Sequence, residues 1–595
     1  MILQYVKNTI MKKYISLFTL ILLALMGQSQ PIDTAKFRID FAPTIQNFDK
    51  INNKAKIIDT LDTKVKFDYY IMPQRIDLTF SPSLVQPIKL SADVMKRYYR
   101  NFIRVGFGFP VTPLAQLNIH NFDNSKYSYG INVNHFSLWA PQMGKTMKNY
   151  AYAPISDTKT SLFFHRFFKN STLYNTFGYN HQVAHRFAFS KLDGYDDRYY
   201  QKSYRDTLRN NFHHAHAVTG LRSNQTADVK TLKYDVKILY DYIYTVQKDE
   251  ENHAGLNSFF AYDERFMKVS GSQNYRLDVD FDYYYNKWSN DFNSITFTRN
   301  SYKIEFKPTV TFEIKEYLLS LGFGLPIVNS TQYTKAKVPI YPVAEVQLGI
   351  IPGIMSIYGG IDGNTTFNSL KDLLYENPYL KPNLDTLKFT RTQTSIFGGI
   401  KGNLVKKMNY HISTRYSYSK DLPLFIIDTN AILKNQFDVV YTNANILNVC
   451  ANITWQVIDH LYLNFDANYW GYYNLSNVEY AWYKPTWQGG FGGKYYYKDK
   501  YIFDLNFKLE FDKWAYIAYA NNNYVIAKMR PTLNFDAGFE YLISPQFAAF
   551  AQINNIASQY HSKYYDFKNF GLNFIIGVTY SFGDEPLRKA KTRRK

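Results

Sequence analysis

Three aspartates, Asp278, Asp280 and Asp282, sit two residues apart, and Arg276 opens the same series. In an extended strand successive side chains point to opposite faces, so residues two apart share a face at a spacing of about 7 Å. Two chemistries suit such a ladder. It can line a path for cations, or it can pair with basic residues on adjacent strands, such as Lys303 and Lys307, because charges withdrawn from bulk water need partners. The opposite face of the same segment carries Tyr275, Leu277, Val279, Phe281 and Tyr283. Charge against grease recurs along the chain. Lys303, Glu305 and Lys307 oppose Tyr302, Ile304 and Phe306, and Asp466 lies opposite Leu463, Phe465 and Ala467. Asp504, Lys508 and Glu510 oppose Phe503, Leu505, Phe507 and Leu509, while Arg530, Asp536 and Glu540 oppose Leu533, Phe535, Ala537 and Phe539. These charged residues are the candidate lumen-lining set, with electrostatic selection along a wet conduit as their expected role.

Other clusters carry less. His213, His214 and His216 fall on one expected strand, where His214 and His216 share a face and could hold a metal, yet no carboxylate is adjacent in sequence. They read as ordinary lumen or rim histidines. Asp249, Glu250 and Glu251 read as a solvated outer loop, with weak calcium or lipopolysaccharide-bridging chemistry as the alternative. Ser, His and Asp are abundant, but no G-x-S-x-G nucleophile motif occurs, so no enzyme, no catalytic residue and no cofactor are expected. Cys450 is the single cysteine, which excludes an intramolecular disulfide and any cysteine-based zinc or redox motif.

The elements that must position these residues are strands. The alternation runs from about residue 101 to 582, and many runs reach the roughly 9–11 residues that a tilted strand needs to cross a bilayer. A soluble sandwich also alternates. Aromatics clustered at strand ends (54 Tyr and 46 Phe in all) and an export signal favour the membrane. That signal begins best at Met11, with Lys12 and Lys13 before an apolar stretch over 14–26 and small residues Gly27 and Ser29 at the cut. Net charge is +20. It reads either as lysine spread over turns and loops or as attraction to lipopolysaccharide phosphates and anionic headgroups. Nucleic acid is not an expected partner of an exported barrel.

Tight turns at 169–171, near Gly271, and at 351–353, 405–407, 457–459, 498–500 and 543–545 alternate with longer connections such as 140–159, 182–209, 363–391 and 420–443. Outer-membrane barrels have short periplasmic turns and long outer loops. Counting hairpins gives an all-β, antiparallel up-and-down transmembrane barrel of about 22 strands in the cell outer membrane. The last strand, 571–582, alternates Leu572, Phe574, Ile576, Val578, Tyr580 and Phe582 with small or polar residues, Ile575 being the exception. It ends at the periplasmic rim. The expected organisation is a signal peptide over 1–29, a periplasmic or lumen-facing extension over 30–98, the barrel over 99–583 and a basic periplasmic tail over 584–595.

The stretch 552–582 (QINNIASQYHSKYYDFKNFGLNFIIGVTYSF) resembles the final hairpin of TonB-dependent receptors, and 376–385 (ENPYLKPNLD) resembles their Asn-Pro-x-Leu-Lys-Pro-Glu motif, with Asn383 in place of Glu. The resemblance implies a receptor-sized barrel. The chain departs from that family in having no plug-sized domain before the first strand and no TonB box after the signal peptide, so a plugless relative is expected. Transport or uptake is the first functional reading. A structural subunit of an outer-membrane assembly, docking a periplasmic or outer-membrane protein, is the alternative.

Overall fold

The computed structural model describes residues 101–583, apart from 122–125, 140–153, 188–207, 225–231, 270, 291–294, 406, 432–433, 519–523, 558–561, 566 and 569. The expected signal peptide, N-terminal extension and basic tail lie outside the described residues, and so does the question of a plug.

Alternating sequence becomes strand with few exceptions. The first half comprises β1 (Asn101–Phe109), β2 (Leu114–Asn121), β3 (Tyr127–Leu138), β4 (Ile155–Phe167), β5 (Ser171–His185), β6 (Arg209–Ser223), β7 (Lys233–Thr245), β8 (Glu250–Asp263), β9 (Ser272–Asn290), β10 (Ile295–Ile314) and β11 (Tyr317–Ser330). Then follow β12 (Tyr341–Ile351), β13 (Met355–Phe367), the helix α1 (Leu370–Glu376), β14 (Phe389–Val405), β15 (Met408–Ile427), β16 (Phe437–Ile458), β17 (Leu461–Tyr473), β18 (Trp487–Tyr497) and β19 (Tyr501–Phe511). The chain closes with β20 (Trp514–Ala518), β21 (Tyr524–Lys528), β22 (Thr532–Leu542), β23 (Phe547–Asn554), β24 (Ser562–Tyr564), β25 (Phe567–Lys568) and β26 (Asn573–Phe582).

Twenty-two of these strands form one sheet, while β20–β21 and β24–β25 are small hairpins set into two connections. Neighbours pair antiparallel, with β19 reaching past the first hairpin to β22 and β23 past the second to β26. The sheet closes where β26 pairs with β1, from Asn101↔Phe582 to Phe109↔Phe574. Closure leaves no sheet edge, so every strand's backbone is paired within hydrocarbon. The outer face is apolar. Phe107, Ile238, Ile396, Phe503 and Ile576 are exposed on it, although each would be buried in a soluble sandwich. This is the outward band of an outer-membrane barrel.

Ile575, the exception on the polar face, points inward and packs with buried Leu114 and Phe550 in a small lumenal cluster beside Phe136. Gly106 makes room for it: a Cβ there would stand 2.9 Å from both Ile575 Cγ2 and Phe550 Cζ.

Two expectations need correction. The outer connections are shorter than the sequence suggests, because β15 and β16 (20 and 22 residues) run well past the bilayer. They take in Lys420 and Asn443, which the loss of alternation had assigned to a loop. Nor does short always alternate with long. The outer connection 246–249 is shorter than the inner connections 224–232 and 264–271 on either side of it.

Candidate functional site: the lumen wall and an inward-folded connection

Arg276, Asp278 and Asp280 on β9, and Lys303, Glu305 and Lys307 on β10, line one cavity of about 810 Å³, which β12–β15 complete through Glu345, Asp362 and Arg415. Most of these charges are paired. The Arg276 guanidinium grips Asp278 (Nη2 to Oδ1 2.6 Å, Nε to Oδ2 2.9 Å). Lys303 Nζ lies 3.3 Å from Asp282 Oδ2 and 3.4 Å from Glu305 Oε2, and Asn257 donates to Asp280 at 2.9 Å. Lys307, the register partner of Asp278, makes no ion pair among the described residues.

The remaining sequence candidates stand elsewhere around the barrel. Asp504 accepts from Asn506 at 2.5 Å, and Asp536 accepts from Asn534 Nδ2 and the Asn555 amide, both at 2.8 Å. Asp466 lies across from Gly490, which pairs on its other side with Lys508. Glu510 meets Lys513 at 3.1 Å, and Glu540 meets Arg104 at 3.6 Å. Arg530 is exposed in the connection just before β22 rather than on a strand.

A chain of hydrogen bonds crosses the wall near its outer end. His214 Nε2 lies 2.8 Å from Asp241 Oδ1, and His253 Nδ1 lies 3.1 Å from Asp241 Oδ2. His253 Nε2 is 3.0 Å from Asp282 Oδ1, which shares its carboxylate with Lys303. Glu305 then accepts from the Tyr341 hydroxyl. The chain spans β6 to β12. His216 tilts against His214, with ring centroids 5.2 Å apart, whereas His213 turns to the outer face and stacks on His181 at 4.4 Å. No group of metal-ligating side chains occurs among the described residues.

This wall carries the connection 368–388, which folds inward across the mouth. Ser369 caps α1 by accepting from the Asp372 amide. Glu251, fully inside, accepts from the Leu370 amide at 2.8 Å, the Lys371 amide at 3.3 Å and Asn286 Nδ2 at 2.7 Å. Lys371 Nζ reaches Asp241 Oδ2 at 3.1 Å, and the Tyr375 hydroxyl bridges His214 Nδ1 (2.9 Å) and Asn180 Nδ2 (3.1 Å). Asp249 accepts the Asn383 amide at 3.1 Å, Arg186 donates to the Leu380 carbonyl at 2.5 Å, and Arg299 donates to the Asp385 carbonyl. Burial pushes the Asp249 carboxyl up to about 6 and Arg186 down to about 10. The triad Asp249, Glu250 and Glu251 is therefore no solvated loop: Glu250 and Glu251 begin β8, and Asp249 and Glu251 are buried beneath this connection.

Apolar packing completes the closure. Leu370, Leu373, Leu374, Leu380, Leu384 and Leu387 are buried against Phe212, Ile243, Tyr284, Val328, Phe389 and Phe437 from the wall. Tyr379 stacks on Phe567 at 3.9 Å, and the Tyr564 hydroxyl donates to the Glu376 carbonyl at 2.8 Å. Sequence reasoning read His214 as a lumen or rim histidine and Glu251 as a solvated loop acid, and it did not single out His253, Lys371 or Tyr375. The one available signal was the recurrence of leucine over 370–387, a spacing that serves a packed segment and not a solvated loop.

No protein-family model matches the sequence, and no curated protein matches it. Solved structures do. The ferripyoverdine receptor of the outer membrane of Pseudomonas aeruginosa superposes with a TM-score of 0.61 at 10% identity, covering 82% of this chain and 72% of that one. The siderophore receptor PirA from Acinetobacter baumannii gives 0.60 at 9% identity over 81% and 80%. The copper transporter OprC gives 0.57 at 12% identity over 81% and 80%. At such identities the likeness is one of architecture, and it agrees with the resemblance of 376–385 and 552–582 to TonB-dependent receptors. The chain has the closed 22-stranded fold of outer-membrane receptors and transporters of that type.

Proposed function

We propose that the protein takes up a solute across the outer membrane, as a receptor-type barrel whose mouth is narrowed by the connection 368–388. The inward charges Arg276, Asp278, Asp280, Asp282, Lys303, Glu305, Lys307, Asp466, Asp504, Lys508, Glu510, Asp536 and Glu540 act as its electrostatic lining, with Arg530 at the outer rim. The observation that carries this reading is the inward-folded connection itself. A 22-stranded barrel is too wide for side chains to fill, and a segment anchored across its mouth is what a selective conduit requires. The basic excess of +20 suits anionic headgroups and lipopolysaccharide at the barrel's rims, and the tail suits a periplasmic protein partner. Like the plugless organisation, both belong to this proposal.

Planar-bilayer recording tests it. The intact protein should show small or intermittent conductance, and replacing 369–387 with a short Gly-Ser linker should open a large steady one. An unchanged closed state after the replacement sinks the conduit. The buried apolar cluster over the mouth favours a second reading, a sealed scaffold subunit. Stable co-purifying partners together with a silent deletion variant would establish that reading instead.

A further inference from the structure

The wall formed by β1–β6 differs chemically from the rest of the lumen. Two rows of side chains cross it at right angles to the strands. In one, Gln116 pairs in register with Asn134, Asn134 with Lys159 and Lys159 with Asn180. In the other, Phe102 is followed by Asn118, Asn132, Ser161, Gly178 and His216. Neighbouring positions along a row are spaced as the strands are, about 4.8 Å apart. Together the rows line a cavity of about 430 Å³.

The cavity's lining holds no carboxylate, and its one formal charge, Lys159, is neutralised by Asp157 at 2.8 Å. Its hydrogen-bonding capacity is open. Gln116 and Asn134 line the cavity and make no side-chain hydrogen bond among the described residues, while Asn118 Oδ1 and His216 Nδ1, also without a partner there, lie just beneath its surface. Gly178 shapes the floor, because a Cβ there would stand 2.0 Å from His216 Cε1, so the imidazole lies down on the β5 backbone. The cavity abuts the inward connection, since Asn180 also holds the Tyr375 hydroxyl.

We propose that this cavity binds an uncharged carbohydrate chain. Each amide offers a donor and an acceptor side by side, which matches neighbouring hydroxyls. The Phe102 ring gives a sugar an apolar face to lie on. An anionic chelate would find no counter-charge here and would lose its hydration without compensation. The proposal rests on the uptake reading for its biological sense, but the site is testable alone.

Calorimetric titration of the full-length protein in detergent, with a maltodextrin as probe, should give saturable binding. The double variant Asn118→Leu, Asn134→Leu removes two amides at little cost in volume and should weaken binding roughly ten- to thirty-fold. Lys335→Ala, at an exposed position of the outer connection 331–340, should leave it unchanged. Heat-modifiable gel mobility shows that each variant is folded. No binding, binding unaffected by the double variant, or tighter binding of a neutral peptide overturns the proposal. Vesicle swelling separates the two claims: binding without maltodextrin flux overturns uptake and keeps the site, and flux without binding does the reverse.

Discussion

The two sides of the lumen are built on the same alternation and put their polar residues to different use. From β7 to β10 the inward groups are charged and nearly all engaged, holding one another and the connection 368–388. Around the cavity of β1–β6 they are led by amides, Gln116, Asn118, Asn132, Asn134 and Asn180, and among the described residues Gln116 and Asn134 have no side-chain partner. The difference shows what each kind of residue is suited to in a wet, confined wall. Full charges there need counter-charges and so become structural. Amides tolerate an unfilled valence facing water and so stay free to meet a ligand.

The comparison breaks most sharply at Glu251. Glu251→Ala leaves the buried Leu370 amide, the half-buried Lys371 amide and the Asn286 side chain without an acceptor. At about 1–3 kcal/mol for each such loss, docking weakens by about 4 kcal/mol. The open fraction in bilayer recordings should rise by at least a hundredfold, and an unchanged open fraction would mean that the charged wall does not hold the connection.

The second test uses pH. Asp249 faces the Arg186 guanidinium and the Asn383 amide, and burial raises its carboxyl to about 6. A group raised in the docked state binds a proton there that it lacks when released. Its contribution is therefore complete below about pH 4 and lost as pH rises through about 6, for at most about 3 kcal/mol. The closed fraction should fall from about pH 4 to about pH 7, and Asp249→Asn should flatten that part of the dependence.

The smallest effect belongs to the neutral wall. Gly178→Ala forces the His216 ring off its seat. Barrel stability should drop by about 1 kcal/mol with the closed fraction unchanged. A change in gating as large as that of Glu251→Ala would show that the two walls are not separable.

Legibility followed the physics of each part. The antiparallel barrel, its 22 strands and most inner turns are visible in the sequence because a lipid-facing strand must alternate, residue by residue. Alternation stops helping where both faces of a strand are covered. Leu422, Leu424, Phe425 and Ile426 pack on the inward cluster or beside it, read as a greasy run without period, and so hid the upper part of β15. Asp249 and Glu251 look like loop acids because their partners are backbone amides more than a hundred residues away. The inward charges were visible as a pattern, but their pairing was not. Arg276 takes Asp278 on its own strand, so Lys307, the register partner of Asp278, makes no ion pair among the described residues.

The inward connection reaches from the early strands to the final hairpin. Arg186, after β5, holds its Leu380 carbonyl, and Tyr564, nine residues before β26, holds its Glu376 carbonyl. During assembly it therefore cannot finish docking until the final hairpin has arrived. Protection of 368–388 from protease should appear only once β26 has zipped onto β1, which makes this segment a built-in report that the barrel has closed.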